Sequence, residues 1–268
     1  MVKIKTHALY DHFPDRWPQE GERYIDMYFD TFVDQCPEHK RHGVAVLLEP
    51  RSMIGSAYDF VDFHPERFRA IFTHDKKLLR YSNAHYLNWG DVWCTTDSEK
   101  TKGISIVSSW KNWCPLHKAR LELARYFDSH PELGVDCFGS FRHGDKDKWD
   151  DVRLSHEHYK FAIVIENDLD EFWFTEKILN CFANKVVPIY VGATKIYEVF
   201  NIEGIIYALD WHDIPQIVKG FDVDREYASR QQAIEDNFRR VEPYKIPWKQ
   251  RFFNQYESLL EDILNDRP

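Results

Sequence analysis

Residues 159–192, YKFAIVIENDLDEFWFTEKILNCFANKVVPIYVG, narrow the folds open to this chain more than any other stretch. Residues 161–165 are a short apolar run rich in β-branched side chains, the mark of a strand buried on both faces. A polar loop follows, Glu166-Asn167-Asp168-Leu169-Asp170-Glu171. Thr175-Glu176-Lys177 then opens a helix whose Ile178, Leu179, Phe182 and Ala183 keep helical spacing. Residues 186–191 form a second buried strand, closed by Gly192. Strand, crossover helix and strand make a βαβ unit with parallel strands and a right-handed crossover. Such units hold ligands at the carboxyl ends of their strands, where the polar loop would lie.

The rest of the chain is consistent with more units of this kind. At 268 residues it has room for one large α/β domain or two smaller ones. Its 43% hydrophobic and 29% charged residues place it among globular rather than disordered chains. A net charge of −9 argues against nucleic acid or an anionic membrane as partner, while leaving room for a local basic pocket. No run approaches the roughly 18 apolar residues of a membrane span, and the amino terminus lacks the apolar core of a signal peptide. The five cysteines are scattered and form no CxxC pair, which fits reduced thiols in a cytoplasmic protein.

Taken in order, residues 2–9 alternate as a strand, and residues 20–36 carry Tyr24, Met27, Tyr28, Thr31 and Phe32 at helical spacing. Residues 43–48 read as a buried strand running into Glu49-Pro50, which sets a carboxylate where open α/β sheets hold ligands. A helix over 52–62, a strand over 68–73 and an irregular aromatic stretch over 86–93 follow. Residues 95–103 are the most polar uninterrupted stretch and mark a domain boundary. Beyond it come a strand at 104–107, a helix at 116–127 with Arg120 near its first turn, and a strand at 135–138. A charged surface loop is expected over 141–151, a further strand at 205–209, and helices over 228–241 and 250–264. The expected division is an amino-terminal domain over 1–98, a second over 99–245, and a terminal helical segment over 246–268 packing back on them.

One family's pattern lies across these elements. Phe161, Glu166-Asn167, Trp173, Thr175-Glu176-Lys177 and Val187-Pro188-Ile189-Tyr190-Val191-Gly192 resemble, in order and spacing, the donor-site signature of glycosyltransferase family 10, the α-1,3/4-fucosyltransferases. Ser105-Ile106-Val107-Ser108-Ser109 with Arg120, Asp136-Cys137-Phe138-Gly139 and Glu49-Pro50 are similar to further segments of that family. The resemblance covers residues 44–210. It implies an α/β fold of GT-B type, two Rossmann-like domains facing a cleft, with the acceptor on the amino-terminal side. It implies inverting transfer of L-fucose from GDP-fucose to a glycan hydroxyl, with no metal or other cofactor required. Trp173 stands where the family commonly has Tyr, and Asp168 where it commonly has Ser, so the identity of the sugar is the least constrained point.

The chemistry asks for two services. A departing diphosphate gains negative charge and must meet fixed cations, and an acceptor hydroxyl must give up its proton to a base. Paired carboxylates that could carry a metal occur only at Asp145/Asp147, Asp168/Asp170 and Asp222/Asp224, none spaced after a strand as a metal motif would be. Lys177 and Arg120, near helix amino termini, are the alternative. The plainer reading of Lys177 is a solvent-facing partner of Glu176 or Asp170, and Lys118 and Arg125 compete with Arg120. By the resemblance, Glu176 accepts from donor hydroxyls, Asn167 holds the donor or its loop, Trp173 walls the pocket, and Glu49 is the base. Simpler roles stand beside these: a first-turn carboxylate, an Asx turn, a core tryptophan and a partner of Arg51. His64, His74 and His85 are rival bases, and Trp89, Trp93, Trp110 and Trp113 form core or acceptor-stacking surface. Two other functions stay open: the same fold with another nucleotide sugar, and a non-catalytic nucleotide-sugar or glycan-binding protein.

Overall fold

Each apolar run becomes a strand, and strand order decides which helices the sheets need. The computed structural model describes residues 1–38, 42–141 and 148–266, and of 148–150 the backbone alone. The first elements are β1 (Ile4–His7), β2 (Ile25–Phe29), β3 (Gly43–Val46), α1 (Arg51–Phe63), β4 (Ala70–Thr73) and β5 (Ala84–Tyr86). Then come β6 (Lys102–Val107), α2 (Pro115–Ser129), β7 (Val135–Phe138), α3 (Lys148–Glu157), β8 (Tyr159–Ile165), α4 (Glu176–Ala183), β9 (Val187–Val191) and β10 (Ile206–Tyr207). The chain closes with α5 (Ile214–Lys219), α6 (Val223–Ser229), α7 (Gln231–Arg240) and α8 (Trp248–Leu264).

Two compact units result: residues 1–89 with 248–268, and residues 90–247. Residues 90–98, expected with the amino-terminal part, cluster with the second unit, and α8 clusters with the first. Among the described residues no helix is long and apolar enough to cross a membrane.

In the first unit the strands pair in the order β1-β2-β3-β4-β5, all parallel. With right-handed crossovers, the connections of a sheet laid down in sequence order favour one face, which here carries α1. That face buries Tyr28, Ala45, Leu47 and Ile71 against Ala57, Tyr58 and Val61 of α1. The opposite face, with Met27, Phe29, Val44, Val46 and Phe72, would be left in water. It is covered mainly by Trp248, Phe252, Phe253, Tyr256, Leu260 and Ile263 of α8, the far end of the chain, with Phe13 of the β1–β2 connection packed beside them.

One expectation fails here for a plain physical reason. Residues 20–36 are not a helix: β2 occupies Ile25–Phe29 and a short 3-10 segment follows it. All five residues of β2 are buried, so its apolar pattern lacks the alternation that separates strand from helix. β5, partly exposed, ends at Tyr86, the first residue of the stretch expected to be irregular. In the second unit, α3 begins at Lys148, inside the span read as a surface loop.

The second unit pairs its strands β7-β6-β8-β9-β10, all parallel. Numbered within the unit this is 2-1-3-4-5, the doubly wound order whose direction of winding reverses between the first and third strands. The two faces are covered separately. Leu121, Ala124 and Phe127 of α2 pack on Ile104, Ile163 and Ile189, while Ile178, Leu179 and Phe182 of α4 pack with Ala162, Val164 and Tyr190.

The buried imidazoles predict an acid-sensitive fold. Burial is the leading cause that pushes His12 and His156 down to about 4 and His74 down to about 3. A histidine whose folded pKa lies below its unfolded value keeps its stabilisation above pH ~6.5 and loses it as pH falls toward the folded pKa. Asp30, raised to about 7 chiefly by burial, works the other way within that window. The histidines outnumber it. The melting temperature is expected to hold between pH 8 and 7 and to fall between about pH 6.5 and 5. A melting curve unchanged down to pH 5 would contradict these depressed values.

Candidate active site at the switch point of the second sheet

The reversal of winding falls between β6 and β8, so their carboxyl ends diverge and leave room for a ligand. Ser108 follows β6 there and Glu166 follows β8. The loop after β6 leads into α2, whose first flanking residue is Cys114, and the loop after β8 leads into α4, capped by the Thr175 side chain. Two helix amino termini therefore open beside one another's strands.

Glu166 is the centre of what is built there. It is fully buried, and its N–H continues the sheet by donating to the Val191 carbonyl at 2.9 Å. Its carboxylate accepts the Thr175 N–H at 2.9 Å and the Thr175 hydroxyl at 2.7 Å, and pairs with the Lys177 ammonium at 3.3 Å. Lys177 Nζ also donates to Thr175 Oγ1 at 2.8 Å and to Glu176 Oε1 at 3.1 Å. Burial opposes the Lys177 charge, but Glu176 and Glu166 outweigh it and raise its pKa. Lys177 is thus a fixed cation, 23% exposed, and not a mobile surface lysine.

Arg120, on α2, reaches across to the same place. Its guanidinium donates to the Ile165 carbonyl at 2.5 Å and lies 3.4 Å from Asn167 Oδ1. Burial lowers its pKa, opposed by Glu166 and Glu176. The rivals Lys118 and Arg125 sit on the exposed side of the same helix. Trp173 is 2% exposed, with its ring centroid 6.0 Å from Lys177 Nζ, and serves as a floor under the ammonium. Arg120, Asn167, Trp173, Glu176 and Lys177 are thereby brought together.

Glu49 lies in the first unit, just past β3 and partly buried. Its carbonyl accepts the Tyr58 hydroxyl at 2.8 Å, and Tyr58 Oη meets His74 Nε2 at 3.1 Å. His74 is 1% exposed and engaged with Tyr58, which removes it as a base in contact with substrate. His64 faces Glu66 at the surface, and His85 packs beside Phe72 and Tyr256.

The paired carboxylates have structural work. Asp170 accepts the Phe172 N–H at 2.9 Å, Asp222 caps α6 through the Arg225 N–H at 3.1 Å, and Asp224 pairs with Lys160 at 2.5 Å. Asp145 and Asp147 lie outside the described residues. Among the described residues no three His, Cys, Asp or Glu side chains are grouped to hold a metal ion.

Two residues were passed over in the sequence. Glu166 was read as part of a motif and given no role, although a carboxylate directly after a buried strand was the available signal. His117, three residues before Arg120 on the same face of α2, is 4% exposed, and its Nδ1 has no partner among the described residues. Burial first, then Arg120, Lys177 and Lys111, hold its pKa down to about 4, so it is a neutral polar group within a charged cluster. Gly192 also changes meaning. Beyond closing the strand, it leaves space: a Cβ there would strike the Tyr190 hydroxyl and Glu166 Cγ, so the glycine makes room for the buried carboxylate.

Comparison with known proteins gives a family and a fold. Residues 97–234 match the model of the family described as glycosyltransferase family 10 (fucosyltransferase), C-terminal part. An alpha-(1,4)-fucosyltransferase of Arabidopsis thaliana is 33% identical over 72 residues, which is 26% of this chain and 18% of that protein's length. The chain resembles a crystal structure of an α1,3-fucosyltransferase with GDP at a TM-score of 0.57 and 13% identity, over 100% of this chain and 93% of the other. It resembles the pneumococcal O-GlcNAc transferase GtfA in complex with UDP and GlcNAc at 0.56 and 10% identity, over 90% and 57%. At such identities the likeness concerns the fold, which is α/β of GT-B type.

Proposed function

The chain belongs to glycosyltransferase family 10, and from that membership we propose that it is an inverting glycosyltransferase moving L-fucose from GDP-fucose onto a glycan hydroxyl. The observation that carries the reading is the convergence of Arg120, Asn167, Glu166 and Lys177 at the point where the second sheet reverses its winding. Lys177 and Arg120 receive the diphosphate as the glycosidic bond breaks, without a divalent metal. Glu176 accepts from the ribose hydroxyls, Asn167 holds the donor loop, and Trp173 backs the ammonium. Glu49 takes the proton of the acceptor hydroxyl. The reducing cytoplasm suits the five free cysteines.

Thermal shift with GDP and UDP tests the donor. A nucleotide at 100 times its Kd adds about 2.7 kcal/mol to the state that binds it, enough to read as a shift of several degrees. GDP is expected to raise the melting temperature and UDP to leave it nearly unchanged. Lys177→Ala is expected to weaken GDP by roughly 10- to 100-fold, the loss of one charge-assisted contact. Turnover, followed as GDP released from GDP-fucose, is expected to be the same in EDTA as in magnesium and to disappear in Glu49→Ala. Stabilisation by UDP alone sinks the GDP assignment. A GDP shift with no turnover against any glycan acceptor leaves the binding-protein reading.

A further inference from the structure

The end of β2 is shaped in a way the sheet does not require. Asp30, directly after Phe29, has φ 49°, in the left-handed region that Asp and Asn enter more readily than other residues with a Cβ. Such a conformation persists where its surroundings hold it. Here the hold is a pair of hydrogen bonds to the segment that leaves the neighbouring strand β3. Asp30 Oδ1 accepts the N–H of Leu48 at 2.7 Å and the N–H of Glu49 at 3.2 Å. Phe29 pairs with Val46, so both chain segments leave the sheet at its carboxyl edge, side by side.

Glu49 is therefore gripped on both sides of its Cα. Asp30 takes its N–H, and Tyr58 donates to its carbonyl at 2.8 Å. A side chain leaving a backbone fixed at both peptides has only its own rotamers left to choose, which is the condition a base needs to meet one hydroxyl. We infer that Asp30 is a positioning residue for Glu49, its left-handed turn carrying a carboxylate across to fix where Glu49 leaves β3. The inference rests on the reading of Glu49 as the base.

The arrangement has a consequence for pH. Burial is the main cause that raises the Asp30 carboxyl to about 7; the two N–H groups lower it and the Glu49 charge raises it further. The titratable groups that face it are Glu49, beyond β3, and Tyr10, beyond β1, whose own pKa is raised by burial, Asp30 and Glu49. As pH falls through 7, Asp30 gains a proton, loses its charge and holds the two N–H groups less strongly. Turnover should fall with it.

The test uses the full chain with Asp30→Gly, Asp30→Asn and Glu49→Ala. Gly keeps the left-handed backbone and deletes the carboxylate; Asn keeps the backbone and one acceptor oxygen without the charge. Asp30→Gly is expected to lower kcat for GDP release from GDP-fucose by about 10- to 100-fold while the donor KM stays within twofold, as for a base displaced by about an ångström. Asp30→Asn is expected to recover part of that loss and to move the acid limb of the pH profile to lower pH. Amide exchange over residues 44–50 is expected to speed up in Asp30→Gly, a readout independent of turnover. If Glu49→Ala abolishes transfer while Asp30→Gly keeps wild-type kcat, acid limb and exchange, the inference about Asp30 fails by itself. If Glu49→Ala is fully active, or the wild type turns over no donor, the reading of Glu49 fails and the inference with it.

Discussion

Glu166→Ala is expected to lower the melting temperature by roughly 10 °C and to abolish GDP binding. Breaking a buried ion pair from one side costs about 3–5 kcal/mol, and a kilocalorie is worth about 2–4 °C in a protein of this size. The cause is specific. Without the carboxylate, the Thr175 N–H and hydroxyl lose their acceptor, and the Lys177 ammonium loses one carboxylate while keeping Glu176 and Thr175. The first turn of α4 and the cation it presents are then no longer fixed to β8. Glu166→Gln separates charge from volume, since its amide fills the same space but turns an NH2 toward donors of Thr175 or Lys177. Its melting temperature is expected to fall less than that of Ala, with GDP binding lost to a similar degree. Calorimetry with and without GDP decides; a variant melting within 2 °C of wild type would show that Glu166 does not hold the site together.

Removing α8 by ending the chain at Pro247 is expected to unfold the first unit and leave the second able to fold. Six side chains of α8, Trp248, Phe252, Phe253, Tyr256, Leu260 and Ile263, are buried on the uncovered face of the first sheet. At about 1.5–3 kcal/mol each they contribute roughly 9–18 kcal/mol, an upper figure that still matches the whole stability of an ordinary domain. Residues 90–247 form their own compact unit, so their transition should survive. Phe252→Ala is the milder version. Its ring meets Phe13, Phe72, Trp248, Phe253 and Tyr256, and its loss should cost about 3–5 kcal/mol. Limited proteolysis followed by mass measurement reads the outcome: a truncated chain whose first unit resists cleavage as well as the intact protein does would refute the assignment of α8.

The site was legible to the extent that it is local. Thr175 caps α4 within its own turn, Lys177 stands two residues on, and the strands on either side announce themselves by apolar runs. β7 was expected over 135–138 and spans those residues. Where burial on both faces erased the alternation, as in β2, the same reading chose a helix and concealed Asp30. The role of Glu166 was hidden for another reason, because its partners lie nine and eleven residues away across a turn whose path the sequence does not state.

By itself, then, the sequence determined the βαβ unit over 159–192 and the family signature it carries, because periodicity, capping and motif spacing act within a dozen residues of chain. Only the tertiary structure decided that the unit's carboxyl edge is a switch point, since that depends on β6 and β7 lying beyond β8. It likewise decided what α8 is for. A sheet built in sequence order places its crossover helices on one face, and the segment that covers most of the other can come from anywhere in the chain.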